Sequence, residues 1–291
     1  MDMKVNIAGV EWKNPVTVAS GTFGSGEEFS EFVDLNRLGA VTTKGVANVP
    51  WPGNPTPRVA EVYGGMMNAI GLQNPGIDKF ISDELPNLMS KNTVIIANIA
   101  GSTAEECAEI AAKLDNTDVH MIELNISCPN VRQGGMAFGA TCDGAASVTR
   151  LVRKATDKPL IVKLSPNVTS IADIAKSVEA EGADAVSLIN TLLGMRIDIN
   201  TRRPILRNNM GGMSGPAVLP VAVRMVWQTS GAVNIPVIGM GGISSGADAI
   251  EMMMAGASAV QIGAAIFTDP YAPVRIIEEI NEFLNSHGIS D

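Results

Sequence analysis

The chain has 291 residues, 46% hydrophobic and 18% charged, with a net charge of −9. That is enough apolar material for one α/β barrel or two ordinary domains, and with no Lys/Arg-rich block the electrostatic footprint of a nucleic-acid binder is missing. Its three cysteines, Cys107, Cys128 and Cys142, form neither a disulfide framework nor a CxxC pair, which points to reduced thiols in a cytoplasm and leaves no cluster for an iron–sulfur centre or other metal in this chain.

The N-terminal MDMKVNIAGVEW lacks the apolar core of a signal peptide. Short β-branched runs then recur: VTVAS (16–20), AVTTKG (40–45), VIIANI (94–99), MIELNI (121–126), LIVKLS (160–165), AVSLINT (185–191), VIGMGGI (237–243) and AVQIGAAI (259–266). They are continuous rather than alternating, as strands buried on both faces should be. The longest uncharged run, Met252 to Thr268, is interrupted by Gly256, Ser258, Gln261 and Gly263; it reads as a helix end followed by a buried strand, not a membrane span.

Between the runs lie capped helices. STAEECAEIAAKL starts at Ser102 with Glu105 three residues on, and Cys107, Ile110, Ala111 and Leu114 fall on one face, so Cys107 reads as core. SIADIAKSVEAEG repeats the device with Ser170 and Asp173, and Gly182 ends it. EGADAVSLI (181–189) echoes AGASAVQIG (255–263), with LGAVTT (38–43) a shorter version. Eight such units predict a (β/α)₈ TIM barrel with loop insertions at its C-terminal face, one domain over residues 1–291. A doubly wound sheet with an appended domain is the alternative, and no linker-like stretch divides the chain.

Active sites of such barrels form at the C-terminal strand ends. Those ends carry Ser20, Lys44, Asn98, Asn125, Lys163, Asn190 with Thr191, Gly241 with Gly242, and Gly263 with Ala264. Any one of them alone is explained as well by a cap or a satisfied loop residue; the set converges on one point. Lys44 and Lys163 follow apolar runs directly, which favours a bound anion or an anionic ring, with a salt bridge as the competing reading for Lys163. The glycines after the seventh and eighth runs lie where barrels bind phosphate on backbone N–H groups. Asn68, in the loop GGMMNAIGLQNPG (64–76), joins Asn125, Asn130 and Asn190 as amides able to read alternating C=O and N–H groups, as on a pyrimidine ring. Cys128, in NISCPN (125–130), is open to three readings: base, nucleophile or inert packing. His120 precedes a strand and His287 lies in a polar tail, so no Cys–His pair is visible and a cysteine-protease mechanism is disfavoured.

ELNISCPNVRQGG (123–135) resembles the active-site loop of the class 1 dihydroorotate dehydrogenases, flavin-dependent barrels of pyrimidine synthesis, whose class 2 relatives carry serine at the cysteine position. The likeness continues through NPVTVASGTFG (14–24), TTKGV (42–46), NAIGLQNPG (68–76), VKLSPNV (162–168), INT (189–191), GGMSGPAVLPVAVRMV (211–226), PVIGMGGI (236–243) and AVQIGAA (259–265). The resemblance implies that Cys128 is the catalytic base. It implies that Lys44, Asn68, the backbone of Ala69, Ile70, Gly71 and Leu72, Asn125, Asn190 and Thr191 contact substrate, with Asn130 beside them. It implies that FMN is held by Ser20, Lys44, Gly45, Asn98, Asn125, Lys163, Ile189, Gly215, Gly241, Gly242, Gly263 and Ala264.

The wording of NISCPNVRQGG and SGPAVLPVAVRMVWQ is closer to class 1B catalytic subunits than to the fumarate-using class 1A enzymes. Class 1B implies a homodimeric core in a heterotetramer, with FAD and a 2Fe–2S cluster on a partner subunit that passes electrons to NAD. GMGGIS (239–244) is only a near miss to the dinucleotide fingerprint. Competing expectations are a dihydropyrimidine dehydrogenase-like subunit, which shares the SCP loop, and a non-redox barrel such as an aldolase with Lys163 as Schiff base.

Overall fold

The structure, a computed structural model, describes residues 3–127 and 138–289. Cys128 and Asn130 lie outside the described residues, so the expectations placed on them are not addressed by it.

The eight apolar runs form eight parallel strands: Val16–Val18, Ala40–Thr42, Val94–Ile99, Met121–Asn125, Leu160–Lys163, Ala185–Leu188, Val237–Met240 and Ala259–Ile262. They hydrogen-bond in the order first, eighth, seventh, sixth, fifth, fourth, third, second. The ring closes between first and second, where Gly39 N–H donates to Val16 O at 2.9 Å and the Thr17 and Thr42 hydroxyls lie 3.3 Å apart. The (β/α)₈ barrel read from the sequence is the observed fold. Seven of the strands stop one to four residues before their predicted ends, and Val94–Ile99 fills its run, so several of the polar residues sit just beyond the ladder, on the barrel's mouth.

Alternation along each strand sorts the residues into two environments. Val41, Ile95, Ala97, Ile122, Leu124, Val162, Val186, Val237 and Val260 belong to the large cluster shared with the helices. Ala40, Ile96, Met121, Ile161, Ala185, Ile238 and Ala259 form a second cluster inside the barrel. An antiparallel hairpin, Val5–Ile7 with Val10–Trp12, closes that cluster from the N-terminal end, with Ile7 and Trp12 fully buried in it. The interior is thus sealed below and open only at the C-terminal ends.

The helices follow their apolar faces. In Ala104–Asp115 the buried residues are Cys107, Ile110, Ala111 and Leu114, as predicted. The cap is shifted by one: Thr103, not Ser102, is extended and accepts from Glu106 N–H, while the Glu106 carboxylate accepts from Ser102 N–H at 2.7 Å. Ser170 caps Ile171–Ala180 by accepting from Asp173 N–H at 3.3 Å, and Gly182 leaves at φ 92. The uncharged run resolves into the end of helix Gly246–Met254 and the eighth strand. Among the described residues no helix is long and apolar enough to cross a membrane.

One element departs from the sequence reading. Residues 65–68, read as part of a loop, form a strand Gly65–Asn68 in a four-stranded antiparallel sheet, ordered Leu192–Met195, Met210–Ser214, Gly65–Asn68, Val59–Val62. Both of its segments leave the barrel after the second and sixth strands, so the sheet belongs to the C-terminal face. Its glycine-rich members carry little β-propensity and are held by pairing distant in sequence.

Candidate active site

One layer above the apolar floor, the same alternation turns Thr17, Thr42, Asn98, Glu123, Lys163, Ser187 and Gln261 inward, all buried. Burying so many polar groups is costly unless they bond to one another. Glu123 is the hub: it accepts from Asn98 Nδ2 at 2.6 Å, Ser187 Oγ at 2.7 Å and Gln261 Nε2 at 2.9 Å. Among the described residues, Asn98 Oδ1 and Gln261 Oε1 are left buried without a partner. An orphaned buried acceptor costs about 1–3 kcal/mol, so this layer is built to meet something else.

Lys163 donates to Ser20 Oγ at 3.0 Å, from the fifth strand across to the end of the first. Burial holds its ammonium below the ordinary lysine range, and the charge of Glu123 opposes that shift. The salt-bridge reading of Lys163 does not hold among the described residues: its hydrogen bond goes to a hydroxyl, and Glu123 acts on it through space.

Ser20 continues from Ala19, whose N–H donates to Ile262 O at 2.8 Å, and a Cβ on Gly263 would lie 3.5 Å from Ala19 Cβ. This brings Ser20 beside Gly263 and Ala264. At the end of the second strand, Lys44 N–H donates to Gly24 O at 2.9 Å and a Cβ on Gly21 would lie 3.5 Å from Lys44 Nζ. Gly45 is pressed against Asn98: a Cβ there would lie 2.6 Å from Asn98 Oδ1 and 3.6 Å from Leu72 Cδ2. Leu72 therefore ties the loop of Ala69, Ile70 and Gly71 to the same strand end.

On the other side, the seventh strand runs into Gly241 and Gly242 at φ 122 and 79, conformations a side chain would strain. A Cβ on Gly241 would lie 3.2 Å from Ile189 Cγ1, and one on Gly242 only 2.6 Å from Leu219 N, at the start of helix Leu219–Ser230. Gly215, just before that helix, packs so closely on Gly65 that a Cβ would lie 2.5 Å from Gly65 Cα. These close approaches leave backbone, rather than side chains, at the rim.

Asn125 lies opposite Lys163 in the ladder. Its Oδ1 accepts from Ser127 Oγ at 2.6 Å, and Ser127 Oγ in turn accepts from Asn190 Nδ2 at 2.5 Å. Asn190 Oδ1 accepts from Thr191 N–H at 2.7 Å, and a Cβ on Gly212 would overlap Thr191 Oγ1. Gly212 pairs with Asn68. Asn68, Asn125, Asn190 and Thr191 are thereby linked through one chain of contacts.

In comparison with known proteins, the model of the family described as dihydroorotate dehydrogenase matches residues 2–284. The chain belongs to the dihydroorotate dehydrogenase family. It is 58% identical over 291 residues to the dihydroorotate dehydrogenase B (NAD(+)) catalytic subunit of Alkaliphilus metalliredigens, covering 100% of this chain and 96% of that one. To the protein of the same name from Lachnoclostridium phytofermentans it is 57% identical, covering 100% and 97%. A crystal structure of DHODH from Eimeria tenella in complex with ferulenol shares the fold, with TM-score 0.82, 23% sequence identity, and coverage of 99% of this chain and 86% of that one.

Within this member of the family, each described candidate from the sequence lies at the barrel's C-terminal mouth or on the sheet beside it. His120 does not: it precedes the fourth strand and accepts from Ile95 N–H at 3.0 Å, at the opposite end. Sequence reasoning missed Ser127, Glu123, Ser187 and Gln261. A signal for Glu123 was present, since it is a lone carboxylate inside an apolar strand, two residues before Asn125 and so on the same face.

Proposed function

We propose that this chain oxidises (S)-dihydroorotate to orotate in pyrimidine synthesis, with FMN at the barrel mouth and electrons leaving through a partner subunit to NAD. The observation that carries the reading is the 58% identity over 291 residues with a protein named dihydroorotate dehydrogenase B (NAD(+)), catalytic subunit.

The residues present fit FMN. Two buried amide oxygens in the layer above the floor lack donors among the described residues, and a flavin nucleotide offers N–H and O–H groups. A buried ammonium suits a ring that gains negative charge. Gly215, Gly241, Gly242, Gly263 and Ala264 offer backbone N–H groups for a phosphate. Ser20, Lys44, Gly45, Asn98, Asn125, Lys163 and Ile189 complete the proposed set, and bound FMN supplies the hydride acceptor.

The chain's own residues do the rest. Cys128, as thiolate, takes the proton from C5 of the substrate, next to a carbonyl, as the hydride leaves C6; its pKa must lie near working pH. Asn125 and Asn190, both oriented by Ser127, present amides to the substrate ring, together with Asn68, Asn130, Thr191 and the backbone from Ala69 to Leu72. Lys44 touches both ligands, and the Lys163 charge offsets the charge gained on reduction.

The reading extends to the assembly: the 1–291 chain acts as one FMN-binding barrel, two copies form a core, and FAD- and 2Fe–2S-bearing subunits complete a cytoplasmic heterotetramer. The test is electron transfer by the purified chain. Dihydroorotate should reduce artificial dyes without a partner, and NAD only once the partner subunit is added. Rapid fumarate reduction by the isolated chain would overturn the NAD-linked assignment in favour of class 1A.

A further inference from the structure

The buried polar layer contains a charged group that the proposed reaction does not use. Glu123 is fully buried in the middle of the barrel, and among the described residues its two oxygens accept hydrogen bonds from three neutral side chains: Asn98 on Oε1, Ser187 and Gln261 on Oε2. Replacing such a group by an apolar one of similar size is often harmless in a core whose only task is to pack. A carboxylate kept here is therefore better explained by what it does to its neighbours.

A carboxylate can only accept. An amide beside it must turn its NH₂ inward, and its oxygen is then directed away. Asn98 and Gln261 obey that constraint together: both NH₂ groups face Glu123, and both oxygens, Asn98 Oδ1 and Gln261 Oε1, are buried without a partner among the described residues. Asn98 Oδ1 faces the Gly45 backbone at the mouth of the barrel, where a Cβ would come within 2.6 Å of it. Gln261 sits in the eighth strand two residues before Gly263, and its side chain shares the inner face with Asn98 and Lys163.

We propose that Glu123 is a positioning residue that locks Asn98 and Gln261 in the orientation in which both amide oxygens accept from N–H or O–H groups of the bound cofactor, making Gln261 a further cofactor-binding residue. The inference rests on the reading of this chain as an FMN enzyme. Ser187 holds the carboxylate from the other side, and Lys163 supplies the positive charge that makes its burial tolerable. Replacing the carboxylate by an amide removes the constraint, because a glutamine can both donate and accept, and Asn98 and Gln261 are then free to turn.

The experiment measures FMN affinity, by quenching of flavin fluorescence on titration into apoprotein, alongside the melting temperature of the apoprotein and the visible spectrum of the bound flavin. Glu123→Gln should raise the FMN Kd at least tenfold and shift the visible bands, with the apoprotein melting temperature near that of wild type. Gln261→Met, which keeps length and removes the acceptor, should also weaken FMN at least tenfold, and it decides the matter if Glu123→Gln does not fold. An FMN Kd within twofold of wild type in Gln261→Met, with an unshifted spectrum, overturns the inference and leaves an internal water as the partner of these oxygens. Failure of the wild-type chain to bind FMN at all would instead overturn the proposed function, and this inference with it.

Discussion

The Lys163 ammonium donates to Ser20 Oγ at 3.0 Å, so a charge carried by the fifth strand ends beside the first. Only 3% of Lys163 is exposed, and burial lowers its pKa, against the opposing charge of Glu123. Since the folded chain gives up this proton at lower pH than the unfolded chain, stability rises with pH in the window between the lowered value and the ordinary lysine value of 10.5. Lys163→Met apoprotein should lose that rise when its denaturant midpoint is compared with wild type from neutral to alkaline pH. The same variant should bind FMN more weakly or be reduced more slowly; unchanged flavin content and kinetics would remove Lys163 from the site.

Ser127 bridges Asn125, at the end of the fourth strand, and Asn190, just past the sixth. Ser127→Ala removes the hydroxyl between them: Asn125 Oδ1 keeps only the Ser127 N–H at 3.2 Å and Asn190 Nδ2 loses its acceptor, a loss of about 1–3 kcal/mol for such a group. The KM for dihydroorotate should rise by about tenfold or more on that scale. An unchanged KM would show that the bridge does not orient the substrate amides.

Cys128→Ala should still bind FMN, yet dihydroorotate should reduce that flavin about 10² to 10⁴ times more slowly, the range for losing a general base. Cys128→Ser should keep a little activity that grows at high pH. Bleaching of the alanine variant at wild-type speed would show that another group takes the proton.

The other two cysteines should differ sharply toward alkylation. Burial pushes the Cys107 thiol up to about 12, whereas Cys142 is exposed at the start of helix Cys142–Ala155. Iodoacetamide at neutral pH should modify Cys142 in the native protein and reach Cys107 only after denaturation, as read by peptide mass spectrometry. Rapid native labelling of Cys107 would contradict its place in the core.

The barrel was legible because strands buried on both faces need continuous apolar residues, and runs such as VIIANI have no other use in a chain of this kind. Polar residues toward the C-terminal ends of those runs, such as Lys44, Asn98 and Asn190, were legible as site candidates for the same reason: polarity stands out against an apolar strand. The antiparallel sheet was not. Met210–Ser214 pairs with residues more than a hundred positions earlier, and its glycines carry no strand signal. Glu123, Ser187 and Gln261 sit inside the strands rather than at their ends, so a reading confined to strand ends passed over them. The cap at Thr103 was misplaced by one because Ser102, Thr103, Glu105 and Glu106 offer two registers of the same motif, and only the extended backbone at Thr103 selects between them.

The most direct test of the account is the absorbance spectrum of the purified chain before and after anaerobic addition of dihydroorotate. The account predicts a flavin spectrum that bleaches on addition, with orotate formed in proportion to the flavin present. A chain purified and incubated with FMN that shows no flavin bands, or bands that dihydroorotate leaves unchanged, would contradict it.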